Sequence, residues 1–463
     1  MENYPRGHVV VVTYPAQGHI NPLLQFAKCL ASKGLKATFA TTLYTAKLIR
    51  ADGVNVMPIS DGFDVGGFKE APSVETYLET FKTVGSRTLT QLILNLNNDH
   101  SSPVVNCLVF DSLLPWALDV AKNLDIFSAV LLTNSASVCS LYCHIHRGVL
   151  SFPVDQERVP LILPGLPPLG LDELPSFLAC STYHDSAYLT AIMEKFRRLE
   201  ENDWVFVNSF EELENQLAEA MTGLWPVQMV GPLVPSAYVD GPIAEDRAYG
   251  GSLLKSNDDH YLKWLDTKAP NTIIFVSFGS MAQIEIKQIE EIAYGLKSSK
   301  NRFLWVVKDS EQEKLPIQFL QSIDEMGCGK IVTWCNQLEI LAHKSVGCFM
   351  THCGWNSTLE AISLGVPMVA MPQWSDQPTN AKFLENVWRV GVRAKKGENG
   401  IVTREEIERC IKEVMVGEKS DEIKINASKM RDYAKRAIGK GGSSDTIINN
   451  FVEALMKGKG KHT

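Results

Sequence analysis

Long apolar runs are missing from the 463-residue sequence, and without a stretch of 18 consecutive apolar residues we predict no membrane-spanning helix. Clustered cationic charge is also missing, because 45 Lys and Arg are outweighed by 53 Asp and Glu, for a net charge of −8. That balance argues against a nucleic-acid or anionic-membrane partner. The apolar run near the N-terminus is too short for a secretory signal, so we expect a cytoplasmic protein. Nothing in the sequence requires more than a monomer.

Metal-ligand and dinucleotide motifs are lacking too. Two Cys and two His occur between Cys139 and His146, but no second ligand pair stands at zinc-finger spacing. Cys139 and Cys143 are instead four residues apart in an apolar segment, as buried positions of one helix would be. The first apolar run leads into Ala-Gln-Gly-His, which does not fit the G-x-G-x-x-G fingerprint. We therefore predict no bound metal, no cofactor and ten free cysteines.

Short apolar runs separated by helix-length segments are present in both halves of the chain. Because the runs are continuous rather than alternating, they predict parallel strands that are buried on both faces. Repeated βα units of this kind form doubly wound sheets, which bind ligands at the carboxyl ends of their strands. We predict an α/β fold of two doubly wound, Rossmann-like domains that face each other across a cleft. The predicted strands are Val9–Tyr14, Ala37–Thr42, Val54–Ile59, Cys107–Phe110 and Ala129–Thr133, then Thr272–Ser277, Phe303–Val307, Ile331–Trp334, Val346–Thr351, Val366–Met371 and Val390–Val392.

The segment between the two halves is rich in Pro and Gly and has no periodicity. We predict an N-terminal domain over residues 1–235, a linker over 236–258 and a C-terminal domain over 259–443. Residues 444–463 remain as a separate C-terminal helix.

A phosphate-binding loop is indicated between the fourth predicted strand of the second half and the helix after it. Gly354 allows the backbone to turn sharply and to approach a ligand closely. A helix beginning near Ser357 would direct N–H groups and a partial positive charge at a diphosphate. His352, Asn356 and Ser357 could add side-chain donors. The alternative is that Ser357 and Glu360 only form a capping box at the start of the helix.

Other candidate ligand contacts in the second half also follow strand ends. Trp334 ends a predicted strand and offers an indole face to a flat ligand, although an isolated Trp more often packs in a core. Asp376 and Gln377 follow another strand, and a carboxylate beside an amide supplies acceptors and donors for hydroxyl groups. Ser280 lies in a short small-residue loop that could contact the ligand or could form a plain βα turn.

In the first half, a His and an Asp lie at strand ends. Asn21 and Pro22 predict the start of a helix, which places His19 at a strand–helix junction. The helix dipole there favours neutral imidazole, the state that a general base needs. Asp111 ends its strand and could orient the imidazole. The alternatives are a structural His in a turn and an Asp that caps the segment after it.

The block from Trp334 to Gln377 resembles the signature box of the plant family 1 UDP-dependent glycosyltransferases, which act on small molecules. The resemblance extends to the His19 loop, to Asp-Ser-Leu-Leu-Pro-Trp at 111–116 and to Gly-Gly-Ser-Ser-Asp at 441–445. The box opens with Trp-Cys-Asn-Gln where the family most often has Trp-Ala-Pro-Gln. That variation is similar to the subgroup whose acceptors include aromatic carboxylates and terpenoid or steroid alcohols. The matching positions are Trp334, Gln337, His352, Cys353, Gly354, Trp355, Asn356, Ser357, Glu360, Asp376 and Gln377.

The resemblance implies the GT-B arrangement, with an acceptor-binding N-terminal domain and a UDP-sugar-binding C-terminal domain. It implies that Trp334 stacks on uracil, while the Cys335 backbone and Gln337 hold the base and ribose. It also implies that Glu360 binds both ribose hydroxyls. The last helix of the family usually crosses back onto the first domain, which residues 444–457 could do here.

The resemblance also assigns the sugar and the chemistry. Asp376 and Gln377 would contact the transferred sugar, which a Gln at this position indicates is glucose, and Trp355 would frame it. Thr133 would contact the sugar as well, and Ser280 the phosphates. His19 would act as general base, oriented by Asp111.

These roles imply an inverting displacement at the anomeric carbon, with UDP-glucose as co-substrate and donor groups rather than a metal stabilising the diphosphate. The sequence contains no Asp-x-Asp motif of the kind that metal-dependent glycosyltransferases use. The acceptor is predicted to be a lipophilic small molecule that is glycosylated on a hydroxyl or carboxyl group. Its candidate contacts are Tyr14, Phe63, Phe81, Trp116, Phe177, Leu178 and Tyr188, all apolar or aromatic.

Three other classes of protein are compatible with repeated βα units. A UDP-sugar epimerase would need no acceptor pocket, and the box with Trp334 and Asp376-Gln377 argues against it. A non-catalytic UDP-sugar-binding protein would have no need of His19 and Asp111. A nicotinamide enzyme would carry the dinucleotide fingerprint that the first strand lacks.

Overall fold

Two parallel β-sheets organise the chain in the computed structural model, which describes residues 7–183, 186–221, 227–250 and 260–458. The chain divides into two units. The first comprises Met1–Leu171, Phe177–Leu253 and Ala434–Thr463, as far as these ranges are described, and the second comprises Asp172–Ser176 and the described part of Leu254–Tyr433. No helix among the described residues is both long and apolar enough to cross a bilayer.

The sheet of the first unit has the order β3-β2-β1-β4-β5-β6-β7, with all pairs parallel. All five strands predicted for this half are present, with ends that differ by one or two residues. β6 and β7, of four and three residues, were not predicted. The strands are β1 His8–Val12, β2 Lys36–Thr42, β3 Asn55–Ile59, β4 Val105–Asp111, β5 Phe127–Leu132, β6 Trp204–Val207 and β7 Val227–Met229.

The sheet of the second unit has the order β10-β9-β8-β11-β12-β13, again all parallel. All six strands predicted for this half are present. In both sheets the strand order reverses beside the first strand of the unit, which is the doubly wound, Rossmann-like topology that we predicted. The strands are β8 Ile273–Ser277, β9 Arg302–Val306, β10 Gly329–Val332, β11 Val346–Thr351, β12 Met368–Ala370 and β13 Gly391–Arg393.

Helices connect the strands, as parallel pairing requires. Their apolar faces pack on the sheets, where buried side chains such as Phe26 and Phe39 in the first unit and Trp305 and Phe319 in the second form the cores. The helices are α1 Gln17–Ser32, α2 Leu43–Ala46, α3 Val74–Thr80, α4 Ser86–Asn97, α5 Ala117–Asn123, α6 Ala136–His146, α7 Ser176–Ala179, α8 Ala187–Arg197, α9 Asn215–Ala220, α10 His260–Asp266, α11 Ile286–Ser298, α12 Ile317–Met326, α13 Gln337–Leu341, α14 Trp355–Leu364, α15 Gln377–Lys382, α16 Arg404–Met415, α17 Ser420–Ile438 and α18 Ser443–Lys457.

The segment predicted as a linker, residues 236–258, contacts the first unit where it is described. Asp246 forms a buried ion pair with Lys28, with 2.8 Å between Nζ and Oδ1. It also accepts hydrogen bonds from Gln25 and from the backbone N–H of Ser236. These contacts hold residues 236–250 within the first unit, and composition alone could not reveal them. Residues 251–258 of the predicted linker lie outside the described residues.

The end of the chain also belongs to the first unit, from Ala434 rather than from residue 444. On α18, the ring of Phe451 contacts Trp204 and Phe206 at centroid distances of 4.9 and 5.0 Å. Ser444 donates a hydrogen bond to the carbonyl of Gly231. The first unit thus includes the chain from Ala434 onward, whereas the predicted C-terminal domain runs to residue 443.

Candidate active site

His19 and Asp111 meet at the carboxyl ends of two neighbouring strands, β1 and β4. Nδ1 of His19 lies 2.8 Å from Oδ2 of Asp111, whose side chain is completely buried, whereas that of His19 is 22% exposed. Asp111 also accepts hydrogen bonds from the backbone N–H groups of Tyr14 and Leu113. Because an ionised carboxylate can only accept, Nδ1 of His19 carries the proton and the lone pair is on Nε2. Nε2 is therefore the atom that can take a proton from a substrate.

The helix that carries His19 begins earlier than we predicted. Asn21 and Pro22 were expected to start it, but α1 begins at Gln17, and Pro22 lies inside the helix. The carbonyl of Ala16 accepts the backbone N–H groups of both His19 and Ile20, which closes the first turn. Proline this close to the N-terminus removes only one helical hydrogen bond. His19 is thus the third residue of α1, at the positive end of the helix dipole.

Thr133 lies beside this pair. Its Oγ1 is 3.3 Å from Nδ1 of His19, and it follows β5, the strand next to β4. The predicted contact of Thr133 with a sugar remains a prediction; what the structure shows is a contact with the imidazole.

In the second unit, Gln337, Ser357 and Glu360 form one hydrogen-bonded group. Nε2 of Gln337 donates to Oγ of Ser357 at 2.9 Å and to Oε2 of Glu360 at 2.7 Å. The capping-box alternative is wrong, because Gly354 is the N-cap of α14 and no side chain caps this helix. Ser357 and Glu360 are the third and sixth residues of α14, and Gln337 is the first residue of α13. Both helices therefore present polar groups to a common point.

The loop between β11 and α14 is built around the imidazole of His352. A Cβ on Gly354 would lie 2.5 Å from Nε2 of His352, and a Cβ on Gly279 would lie 2.8 Å from the same atom. Glycine is therefore needed at both positions because a larger residue would collide with the imidazole, and not only because the backbone turns sharply there. Burial lowers the pKa of His352 to about 4, so the ring is neutral at pH 7 and has one N–H to donate. Cys353 adopts a left-handed conformation with φ of +63°.

Ser280 follows Gly279 in the loop after β8, near this imidazole. Its carbonyl accepts a hydrogen bond from Nζ of Lys308, 3.3 Å away, and Lys308 also donates to the carbonyl of Ala282. Burial lowers the pKa of Lys308. The lysine therefore fixes the backbone of this loop.

Asp376 and Gln377 lie at the start of α15, where Asp376 precedes the helix and Gln377 is its first residue, and side-chain hydrogen bonds hold this segment in place.

 The carbonyl oxygen of the Gln377 side chain accepts the backbone N–H groups of Gln373 and Trp374, at 2.8 and 3.1 Å. Its amide nitrogen is thereby left as the group that can donate to a ligand. On α15, Nδ2 of Asn380 donates to Oδ2 of Asp376 at 2.8 Å and to the carbonyl of Cys353 at 3.0 Å. Asn380 thus ties this loop to the loop of His352.

The two tryptophans that were predicted to contact the ligand, Trp334 and Trp355, differ in accessibility. Trp334 is half-buried and lies two residues beyond the end of β10, which stops at Val332 rather than at Trp334 as predicted. Trp355 is only 4% exposed and packs on Trp388 at a centroid distance of 6.1 Å. As placed, Trp355 is a core residue, and its predicted contact with a sugar remains a prediction. Cys335 is buried, which raises the pKa of its thiol and leaves the backbone as the group to bind a ligand.

Several predicted acceptor contacts belong to one aromatic cluster beside His19. Tyr14 contacts the imidazole edge-on at 5.6 Å and also packs against Tyr77. Tyr77 contacts Phe63 and Phe81, and Phe81 contacts Trp116. Tyr14, Tyr77, Phe81 and Trp116 are all buried, so Phe63 is the one ring among these five that is partly exposed.

Tyr77, the centre of this cluster, was not predicted. Its hydroxyl donates to the buried carboxylate of Asp61 at 2.7 Å. Burial is the main cause that raises the pKa of the phenol, and the charge of Asp61 raises it further. The spacing of four residues between Tyr77 and Phe81 on one helix face was the sequence signal that could have found it.

The remaining acceptor candidates are Tyr188, Phe177 and Leu178. Tyr188 on α8 interacts with the hydroxyl of Tyr14, so it joins the cluster. Phe177 and Leu178 are buried, and the ring of Phe177 packs edge-on against Tyr183.

Family models, related sequences and solved structures all match this chain. The family model of UDP-glucoronosyl and UDP-glucosyl transferases matches residues 207–433, and that of the glycosyltransferase N-terminal domain matches residues 7–58. UDP-glycosyltransferase 74B1 of Arabidopsis thaliana is 45% identical, over 98% of each chain. Flavonol 7-O-beta-glucosyltransferase UGT74F1 of the same plant is 43% identical, over 97% of this chain and 99% of the relative. The crystal structure of Os79 from O. sativa in complex with UDP covers 96% of this chain and 100% of its own, at 39% identity and a TM-score of 0.91.

The chain belongs to the plant family 1 UDP-glycosyltransferases, which have the GT-B fold and transfer a sugar from a UDP-sugar to a small-molecule acceptor. This membership favours the glycosyltransferase hypothesis over the epimerase and nicotinamide-enzyme alternatives.

Proposed function

We propose that this enzyme transfers glucose from UDP-glucose to a hydroxyl or carboxyl group of a lipophilic small molecule, with inversion at the anomeric carbon and without a metal ion. The observation that carries the proposal is the hydrogen bond from Nδ1 of His19 to the buried Asp111, since it leaves Nε2 as a base. An oriented imidazole is the group that an acceptor hydroxyl needs for deprotonation at neutral pH.

In the proposed reaction, Nε2 of His19 accepts the proton of the acceptor oxygen. That oxygen forms a bond to the anomeric carbon while the bond from this carbon to the diphosphate oxygen breaks, and UDP leaves with the electron pair. Asp111 stabilises the imidazolium that forms, because its carboxylate is buried and already hydrogen-bonded to Nδ1. A carboxyl acceptor is already ionised at neutral pH and would need His19 less.

The proposed UDP site combines the hydrogen-bonded group of Gln337, Ser357 and Glu360 with the loop around His352. Trp334 stacks on uracil beside the Cys335 backbone, and Glu360, oriented by Gln337, accepts the ribose hydroxyls. The neutral His352 and the N-terminal amides of α14 receive the charge that grows on the diphosphate, with Asn356, Ser357 and Ser280 beside them. Donors that are already in place stabilise this charge without rearranging during the reaction.

Glucose is the proposed sugar because Asp376 and Gln377 offer an acceptor and a donor side by side. The Gln377 oxygen is bound to its own loop, so only the amide nitrogen can reach a sugar hydroxyl. The relative UGT74F1 is named as a glucosyltransferase, which supports the same choice.

The proposed acceptor is a lipophilic molecule such as a phenolic, a triterpenoid or a steroid. Phe63 and Tyr188, the half-buried members of the aromatic cluster beside His19, support an apolar partner at the catalytic imidazole. A relative that is named as a flavonol glucosyltransferase supports a phenolic acceptor.

Mass spectrometry of reactions with UDP-glucose and a panel of steroid, triterpene, flavonoid and phenolic-acid acceptors tests the proposal. The reactions contain EDTA, so that a product also establishes independence from divalent metal. We expect a product heavier by one hexose, with the β configuration by NMR. Transfer only from another UDP-sugar would refute the glucose assignment, and a requirement for added metal would refute the metal-free mechanism.

A further inference from the structure

Five residues, Asp172–Ser176, belong to the second unit although the chain on either side of them belongs to the first. We call this segment the strap. Its polar contacts are concentrated on α15 and on β13. Oγ1 of Thr379 donates to the carbonyl of Glu173 at 2.7 Å, and Nζ of Lys382 lies 3.0 Å from the Glu173 carboxylate. Arg393 donates to both the carbonyl and the carboxylate of Asp172.

The strap reaches the loop of Asp376 and Gln377 through Ser176. The backbone N–H of Ser176 donates to the carbonyl of Ser375 at 2.8 Å. The backbone N–H of Ser375 donates in return to Oγ of Ser176 at 2.7 Å. The two peptide groups that flank the Ser375 Cα are therefore both fixed by one strap residue.

Ser375 needs this support because of its conformation. Its φ is +59°, in the left-handed region that costs a residue with a Cβ roughly 1–2 kcal/mol. Asp376 is the next residue, so rotation about the Ser375 backbone would swing its carboxylate directly. Asn380 holds that carboxylate from the other side, and Gln377 accepts hydrogen bonds from the loop backbone. The loop is thus held at Ser375, at Asp376 and at Gln377.

We propose that Ser176 is a positioning residue, which fixes Asp376 and Gln377 and so determines how well the enzyme selects the sugar of its donor. This inference rests on the proposed function, in which those two side chains contact the sugar. Hydroxyl epimers differ by little apart from hydrogen-bond geometry, so discrimination between them depends on how rigidly the contacting groups are held. UDP itself is bound elsewhere, at Trp334 and Glu360, and does not depend on the strap.

Calorimetry and kinetics on the full-length Ser176→Ala variant test the proposal. Losing one neutral hydrogen bond should weaken binding of UDP-glucose by about 3- to 10-fold and leave the affinity for UDP unchanged. The ratio of kcat/KM for UDP-glucose over UDP-galactose should fall by a similar factor. Ser176→Thr keeps a hydroxyl and should restore both quantities.

A matched control is Ser322→Ala in the same unit, where the hydroxyl donates only to the carbonyl of Phe319 on its own helix. It should leave both affinities and the sugar preference at the wild-type values. Unchanged UDP-glucose affinity in Ser176→Ala would overturn the proposal. An equal loss for UDP and UDP-glucose would overturn it too, because it would show a general disturbance of the unit.

Failure of the proposed function has a different signature. A wild-type enzyme that binds UDP-glucose but transfers only another sugar refutes the glucose assignment. The calorimetric comparison of Ser176→Ala with the wild-type enzyme still decides the positioning role in that case.

Discussion

In the proposed mechanism His19 abstracts a proton with Nε2, while its Nδ1 is hydrogen-bonded to the buried carboxylate of Asp111. Replacing His19 with Ala should lower kcat by about 10²–10⁴ with an alcohol acceptor, the usual contribution of a general base. The affinity for UDP, measured by calorimetry, should survive, because the proposed UDP contacts are residues of the second unit. Wild-type turnover of this variant would show that another group removes the proton.

Glu360 offers a separate test at the residue scale, since it is the sixth residue of α14 and not part of a cap. Glu360→Gln should weaken UDP binding by roughly 1–3 kcal/mol, the loss of hydrogen bonds to a charged acceptor. Thermal unfolding should change little, because the Gln337 amide can still donate to the oxygen of the new side chain. If calorimetry finds wild-type UDP affinity in a folded variant, Glu360 does not bind the ribose.

Individual residues were predictable from the sequence where they follow strand ends. His19 follows β1 and Asp111 ends β4, and because these strands are adjacent in the sheet, their contact follows from the doubly wound order. The hydrogen bonds of Asn380 and of Ser176 were not predictable. They join residues that neither periodicity nor motif spacing relates, and Ser176 is 199 positions from its partner.

At the scale of elements, the loop after β8 and the loop after β11 meet at one ring. A Cβ at Gly279 would lie 2.8 Å from Nε2 of His352, and the φ of Gly279 is +74°. Gly279→Ala should therefore displace the imidazole and weaken UDP binding by about 1–3 kcal/mol, as expected for a lost hydrogen bond to a charged group. The UDP affinity, measured by calorimetry, checks this outcome.

The variant Gly327→Ala separates the effect of a steric contact with His352 from the effect of backbone strain. Gly327 also has a positive φ, of +57°, but nothing lies within 4 Å of a Cβ placed there. This variant should lose stability, by roughly 1–2 kcal/mol, and should keep its affinity for UDP. Equal affinities for UDP in the two variants would mean that His352 does not contact the nucleotide.

Strands were the most predictable elements, because apolar runs of five to seven residues indicate where most strands lie. Element ends were less predictable. α1 begins four residues before Asn21, the residue that we had expected to cap it, because backbone hydrogen bonds to Ala16 outweighed the preference of side chains for caps. β12 is three residues shorter than its apolar run, as Val366 and Met371 lie outside the pairing.

At the scale of the whole molecule, the division of the chain into units does not follow its order. The end of the chain, from Ala434, belongs to the first unit, and the strap, which lies in the first half of the sequence, belongs to the second unit. The resemblance predicts that residues 444–457 return to the first domain, but no sequence pattern predicts the strap, since it depends on particular contacts such as that of Thr379 with the carbonyl of Glu173. Sequence patterns therefore identify the two sheets more securely than they identify what packs on each.

The C-terminal helix α18 provides the test of this division. Phe451 is 1% exposed and contacts Phe26, Trp204 and Phe206, which lie on α1 and β6 of the first unit. Phe451→Ala should destabilise the first unit by about 3–5 kcal/mol, the cost of a large buried cavity. Urea unfolding followed by tryptophan fluorescence measures this loss, with Trp204 as a reporter beside the cavity.

The matched control is Ile425→Ala on α17, where the side chain is exposed and its removal should cost less than about 0.5 kcal/mol. If α18 belongs to the first unit alone, Phe451→Ala should also leave the UDP affinity unchanged, because the proposed UDP contacts Trp334 and Glu360 are in the second unit. A parallel loss of UDP affinity at a urea concentration where the variant is still folded would show that the second unit depends on α18 as well.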